Sequence, residues 1–471
     1  MTAASNSKWA AVGQSARILS QLANIFILAR ILPPSDYGLM AMAGVATNLA
    51  LLLRDMGTAA AVVQKDELDH HIINAVFWLN IAMGLTIAII LVATSPLIAN
   101  VFKTPTLVGV LCSLAIAFPL SSSSAVHQAL LERHSQFKRL ALIDVTCAIL
   151  AMAGAVAAAI YGLGVYSLVI QSILTAGLTT LFLWLNSTWR PSADVQLSRL
   201  KELFAFSSNM AGFQLVNYFF RNADSIVVGR LLGQSALGIY SIAYKIMLMP
   251  VQNITWVSSR AIFPVMSRQQ NDIPAMAELY LKTVRTISFL AAPIMAGIFA
   301  ARHDFVQLAL GSQWSMVATL LGVMAPIGYL QSINASAGPV FMAQGKTSMM
   351  LKLGIYSAIV HIFAFIIGCK WGIQGVAWSY LIASISVIMP TLYVVQKALT
   401  LHVFDTAKAI LPSALTAIFA AIVVLLFQQS VMQTKYLTVN LLMQFLVGTS
   451  VYLSILYFFL KPYFVNVLKR K

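Results

Sequence analysis

Apolar stretches long enough to cross a bilayer recur along nearly the whole of this 471-residue chain, separated by short polar loops that carry Pro or Gly. About 20 apolar residues span a hydrocarbon core ~30 Å thick. Runs of that kind fall near 9–31, 37–53, 72–98, 106–131, 140–160, 164–186, 203–230, 236–262, 282–301, 314–342, 348–369, 373–396, 407–428 and 437–460. In hydrocarbon every backbone N–H and C=O must find its partner within the segment, which makes these runs helices. The expected fold is therefore all-α, a polytopic integral membrane protein of about fourteen transmembrane helices. With 59% hydrophobic and 9% charged residues, a water-soluble reading would have to hide all these runs in one core, and composition excludes it.

The distribution of positive charge orients the bundle. Of the thirty Lys and Arg residues, twenty-one lie on the side of the N-terminus when loops are counted alternately, six on the other, and Arg17, Arg221 and Lys245 lie inside spans. Short cytoplasmic loops carry the Lys/Arg excess, so both termini are expected in the cytoplasm of a cell inner membrane. The same placement explains the net charge of +16 without nucleic acid, because no single soluble face gathers the cations. The polar start MTAASNSK leads into a long helix without a short apolar core and small-residue cleavage site, so the first span is expected to insert the chain itself.

The chain is duplicated. At an offset of 200 positions, Arg30-Ile31-Leu32 matches Arg230-Leu231-Leu232, Gly38-Leu39 matches Gly238-Ile239, and Ala43 matches Ala243. The turn YGLGVYSLV at 161–169 likewise has a counterpart in WGIQGVAWSYL at 371–381. The polar linker divides an N-terminal six-helix bundle, 1–190, from a C-terminal one, 203–396, with a cytoplasmic linker at 191–202 and two additional helices with a cytoplasmic tail at 397–471. Halves with the same orientation are parallel repeats about an axis along the membrane normal, an architecture of transporters whose central cavity opens to each side in turn.

Charge near the middle of a span is costly and marks function or pairing. Arg17 lies ~12 Å from one end of its span, and Arg221 and Lys245 ~14 Å from the other, at ~1.5 Å per residue. A basic patch of Arg17, Arg221 and Lys245 suits an anionic ligand, Arg by its bidentate fork and Lys as a point charge. The competing reading is pairing, and Arg221 with Asp224 has the i, i+3 spacing for it. Asp224 and Asp144 are candidates for binding a coupling H⁺ or Na⁺ or for structural pairing, Asp144 with Lys138, Arg139 or a helix end. Tyr166, Trp256, Trp378 and Tyr380 are read as interfacial anchors or as sugar-stacking rings, and His127 and His361 as hydrogen-bonded structural residues. The three cysteines and seven histidines show no metal-ligand spacing, so neither a metal nor a cofactor is expected. Very short far-side loops leave no room for an extracytoplasmic catalytic domain.

Several separated segments, LARILPPSDYGLMAM (28–42), RDMGTAAAVVQK (54–65), FWLN (77–80), LLERHSQFKRLALID (130–144), NADSIVVGRLLGQSALGIYSIAYK (222–245) and GPVFMAQGKT (338–347), carry a family resemblance. In order and spacing, from about residue 8 to 396, they resemble the Wzx-type polysaccharide flippases of the multidrug/oligosaccharidyl-lipid/polysaccharide (MOP) exporter superfamily, the colanic-acid exporter type in particular. The resemblance implies a MATE-like fold, no enzymatic activity, and export of undecaprenyl-pyrophosphate-linked oligosaccharide units to the periplasmic leaflet. It also implies membrane lipids, a polysaccharide polymerase and glycosyltransferases as partners. The second half departs from the pattern where Gly233-Gln234-Ser235-Ala236 replaces Pro33-Pro34-Ser35-Asp36. Two readings stay beside this one: a cation-coupled multidrug exporter, whose cavity should be richer in acids, and a membrane polysaccharide polymerase or ligase, which needs a larger periplasmic loop.

Overall fold

The computed structural model describes residues 20–54, 70–192, 218–219, 221–402, 404–430 and 436–468, and these are helices joined by short turns, with no strand among them. In chain order they are α1 (Ser20–Ile31), α2 (Pro34–Arg54), α3 (His70–Phe102), α4 (Leu107–Ala115), α5 (Ala117–Arg133), α6 (Phe137–Ile160) and α7 (Tyr166–Asn186). There follow α8 (Ala223–Arg268), α9 (Ile273–Ala309), α10 (Ser315–Asn334), α11 (Ala337–Ala343), α12 (Thr347–Gly368), α13 (Gly372–Ala398), α14 (Asp405–Ser430) and α15 (Leu437–Leu468).

Among the described residues eleven helical segments are long and apolar enough to cross a membrane. The expected number was about fourteen. The difference lies in how runs are joined: α12 and α13 form one 52-residue segment across a 3₁₀ turn at Cys369–Trp371, and α1, at Ser20–Ile31, is a shorter apolar helix. Residues 203–217, where the seventh run begins, fall outside the described set. The eighth run continues in α8, which breaks at Gly233 (φ 83°, ψ −178°). That backbone conformation carries no penalty for a residue without Cβ.

The helices run through several of their prolines. Pro250, Pro293, Pro326 and Pro390 all sit inside continuous helices, as do Pro96 and Pro412. Each removes one backbone donor and gives its helix a place to bend.

The chain forms two compact units, Met1–Gly238 and Ile239–Lys471. In the first, α7 is tied to α5 by Thr180 Oγ1 donating to the Leu120 carbonyl (2.8 Å) and Trp184 Nε1 donating to that of Ser123 (3.1 Å). The start of the polar linker folds back on α3, where Asn74 Nδ2 donates to Ser192 Oγ (2.5 Å) and Trp78 Nε1 to the Ser192 carbonyl (2.8 Å).

In the second unit one buried cluster gathers Tyr280, Val284 and Ile287 of α9 with Val340, Phe341 and Val395. The two C-terminal helices pack against α9. Ala417 and Ala420 of α14 and Tyr452 and Leu456 of α15 share a cluster with Ala292. Tyr452 Oη donates to the Phe289 carbonyl (2.9 Å) and Gln428 Nε2 to that of Ala300 (3.2 Å). These side chains satisfy themselves on backbone carbonyls, which is how polar groups are accommodated inside a bilayer.

The duplication also shows in local conformation. Gly162 (φ 79°) and Gly372 (φ 69°), each directly after an aromatic residue, both take a positive φ in the two matched segments.

Candidate functional site

The three basic residues expected inside spans, with Asp224, fall into three groups. Arg17 lies outside the described residues. Arg221 lies just before α8 and Asp224 in its first turn, both in the first unit. Lys245 lies further along the same helix, past the break at Gly233, in the second unit.

Around Arg221 the chain is anchored by Tyr218, whose Oη donates to the Val45 carbonyl of α2 (2.6 Å), while Asn222 Nδ2 donates to the Tyr218 carbonyl (2.9 Å). Asp224 is only 7% exposed, and its Oδ1 accepts from the Ser225 amide at 2.6 Å. This places a carboxylate on the first turn of α8, where amides lack intrahelical acceptors and the helix dipole favours negative charge. Arg221, one turn earlier, is exposed.

Lys245 is exposed, while Ala243 and Met247 on the opposite face of α8 are completely buried. At 100° per residue those two positions lie roughly 160° away from Lys245. The sequence thus buries one apolar face and turns the ammonium away from it. The adjacent residue, Tyr244, begins an aromatic row: it stacks on Tyr240 (centroids 5.9 Å, 13° between planes) and lies 6.5 Å from the Tyr380 ring. Tyr380 in turn meets His361 edge-on at 5.3 Å and Phe365 at 5.2 Å, and its hydroxyl accepts from Gln331 Nε2. His361 is held through Nδ1 on the Ser357 carbonyl (2.7 Å). Tyr240 and Tyr380 are buried, so this row packs inside its unit, and the exposed Lys245 ammonium is the group there able to meet a phosphate.

Asp144 is half-buried on α6, beside Ile143 and Cys147, which pack with Leu131 of α5 and Leu183 of α7. No group of three or more His, Cys, Asp or Glu able to hold a metal exists among the described residues.

The aromatic residues divide differently from the expectation. Trp378, 57% exposed, and Tyr166, also exposed, fit the anchor reading. Tyr380 is 5% exposed and belongs to the interior of its unit instead. The side chain of Trp256 lies outside the described residues. His127 also departs from expectation. It is fully buried with neither ring nitrogen hydrogen-bonded to a described group, and it sits among Trp184 (4.7 Å), Trp189 (5.3 Å) and Phe77 (6.4 Å). Arg190 stands 6.0 Å from the Trp184 ring. The only sequence signal for this cage is the density of tryptophan near the linker.

Two contacts escaped sequence reasoning. Arg230 Nη1 donates to the Asn100 and Val101 carbonyls (2.8 and 2.6 Å), closing the end of α3. Gly38 and Gly238, matched in the repeat, meet directly: a Cβ on Gly38 would overlap the Gln234 carbonyl, and one on Gly238 the Pro34 carbonyl.

The described helices, many of them long and apolar enough to cross a membrane, define an all-helical, multi-pass membrane protein, and its fold is found in solved structures. The lipid II flippase MurJ, in its inward closed conformation, matches with a TM-score of 0.75 at 16% identity over 97% of this chain and 99% of that one. An inward-facing multidrug resistance MATE family transporter of the MOP superfamily matches with a TM-score of 0.57 at 16% identity, over 83% of this chain and 96% of that one. The chain belongs to the family of polysaccharide biosynthesis proteins, which it matches over residues 27–319. It is 25% identical to the lipopolysaccharide biosynthesis protein WzxC of Escherichia coli (strain K12), over 81% of this chain and 78% of that protein. It is 25% identical to the teichuronic acid biosynthesis protein TuaB of Bacillus subtilis (strain 168) as well, over 81% and 80%.

Proposed function

We propose that this protein moves lipid-linked oligosaccharide units from the cytoplasmic to the periplasmic leaflet of the inner membrane by alternating access, carrying out no covalent chemistry itself. The observation that carries the reading is the exposed Lys245 in mid-helix, facing away from the buried apolar side that holds Ala243 and Met247. A charge kept at such a depth has a partner or a ligand, and a pyrophosphate is the matching anion. Membership of a polysaccharide biosynthesis family and the flippase fold support the same reading.

In this account Arg17, Arg221 and Lys245 bind the pyrophosphate and any acidic sugars, and the polyprenyl chain stays in lipid. Asp224, at the start of α8, serves mainly to hold that helix end and Arg221; Asp144 and Asp224 are the carboxylates through which H⁺ or Na⁺ could couple. Both termini are cytoplasmic, the halves 1–190 and 203–396 are the moving bundles, and residues 397–471 add two helices and a tail. A polymerase and glycosyltransferases act on the same lipid-linked substrate before and after it crosses.

The test is a purified, reconstituted protein in proteoliposomes, assayed with a polyprenyl-pyrophosphate-linked oligosaccharide and, separately, with a lipophilic cation. Translocation of the oligosaccharide without cation export is the expected result. Cation export without oligosaccharide movement would replace this reading with that of a multidrug exporter, which shares the fold.

A further inference from the structure

A concave groove of about 320 Å³ opens on the first unit between α2, α3 and the segment around the start of α8. This volume lies within the ~300–1,000 Å³ range of small-molecule sites. Its walls are aliphatic and aromatic, among them Leu49, Leu53, Ile90, Val101 and Phe219. Ala46 and Ala50 of α2, lying among longer side chains, leave the hollow. The single polar lining residue, Thr94, turns its hydroxyl back onto the Ile90 carbonyl of its own helix (2.7 Å), so it offers the groove its methyl group.

One end of the groove is basic. Val101 and Phe102 line that end, and the carbonyl of Val101, with that of Asn100, holds Arg230 Nη1. Arg230 is exposed, and Lys103, also exposed, follows directly where α3 stops, in a left-handed turn (φ 53°). From Ile87 to Phe102 the groove follows α3 for ~22 Å at ~1.5 Å per residue, longer than the ~15 Å depth of one leaflet. A long apolar slot in a membrane-spanning region, with two cations at one membrane end, is complementary to an anionic amphiphile lying parallel to the helices.

We propose that this groove is a binding site for an anionic membrane phospholipid, with one acyl chain along α3 and the headgroup phosphate at Lys103 and Arg230. Lipid headgroups gain from basic residues at the membrane surface, while the groove supplies the shape that a flat lipid-facing surface lacks. The site uses none of Arg17, Arg221 or Lys245, so it stands or falls separately from the translocation reading.

The test is native mass spectrometry of the detergent-purified full chain titrated with phosphatidylglycerol or phosphatidylcholine. The expected result is one tightly retained phosphatidylglycerol, favoured over phosphatidylcholine by roughly tenfold for two surface cations. Lys103→Gln should lower that preference, Lys103→Gln with Arg230→Gln should remove it, and Ala46→Phe, which fills the hollow, should lower retention of both lipids. Because Arg230 also closes α3, Lys103→Gln and Ala46→Phe keep the test decisive if the double variant is unstable. Equal retention of the two lipids, or phosphatidylglycerol retention unchanged in Lys103→Gln and Ala46→Phe, overturns the proposal. Displacement of phosphatidylglycerol by an equal concentration of a polyprenyl phosphate also overturns it, assigning the groove to an isoprenoid tail.

Discussion

Gly38 and Gly238 lie 200 positions apart in sequence, and at each the backbone of the other's helix fills the space that a side chain would need. The contact is reciprocal: Gly38 faces the Gln234 carbonyl and Gly238 the Pro34 carbonyl, and Pro34 and Gln234 are themselves 200 apart. Duplicated sequence has here become a two-fold-like crossing between the start of α2 and the second segment of α8. Small residues let membrane helices approach this closely.

From that crossing follows a prediction about stability. Gly38→Ala and Gly238→Ala should each lower the thermal transition of the purified protein, on the scale of ~1–3 kcal/mol for overpacking. Gly297→Ala is the control, because a Cβ there meets nothing within 4 Å. Equal behaviour of all three would show that the crossing has no energetic weight.

Burial without a hydrogen bond makes His127 replaceable by a ring of similar size. His127→Phe is expected to preserve or raise thermal stability, since it removes two polar atoms that no described group bonds. His127→Ala is expected to cost ~2–4 kcal/mol by leaving a cavity among Trp184, Trp189 and Phe77. A stability loss in His127→Phe as large as in the alanine variant would point to an essential role for the ring nitrogens.

Asp224 is expected to act on the fold of α8 before it acts on transport. Asp224→Ala should lower stability or membrane yield by ~0.5–2 kcal/mol, the usual scale for a carboxylate lost from a helix start. Removing Arg221 as well should recover part of the loss if the two side chains support one another. An Asp224→Asn protein of normal stability that has lost only ion-dependent transport would make Asp224 a coupling site instead.

Much of this structure is legible in sequence because hydropathy and helix length are local properties. The runs at 72–98, 140–160 and 407–428 correspond to α3, α6 and α14, with shifted ends. The repeat is legible too, in Gly162 and Gly372 as well as Gly38 and Gly238. What periodicity could not give is which residues meet. Tyr380 reads as an anchor because it lies near a span end, yet packing against His361 and Phe365 buries it. His127 reads as a hydrogen-bonded histidine, yet tryptophans from a distant helix and linker enclose it. Lys245 is identified by sequence as costly, and its exposure opposite Ala243 and Met247 emerges only once α8 is placed.

The central claim is that a basic mid-membrane site receives the pyrophosphate, and Lys245 tests it most directly. The measurement is the initial rate of lipid-linked oligosaccharide translocation in proteoliposomes containing equal amounts of wild-type, Lys245→Ala and Lys245→Arg protein, across substrate concentrations. Loss of a contact to a charged group costs ~1.5–3 kcal/mol, so Lys245→Ala should weaken apparent affinity roughly ten- to a hundredfold. Lys245→Arg, which keeps the charge, should retain most of the activity. Wild-type rates and affinity in a folded Lys245→Ala protein would contradict the account.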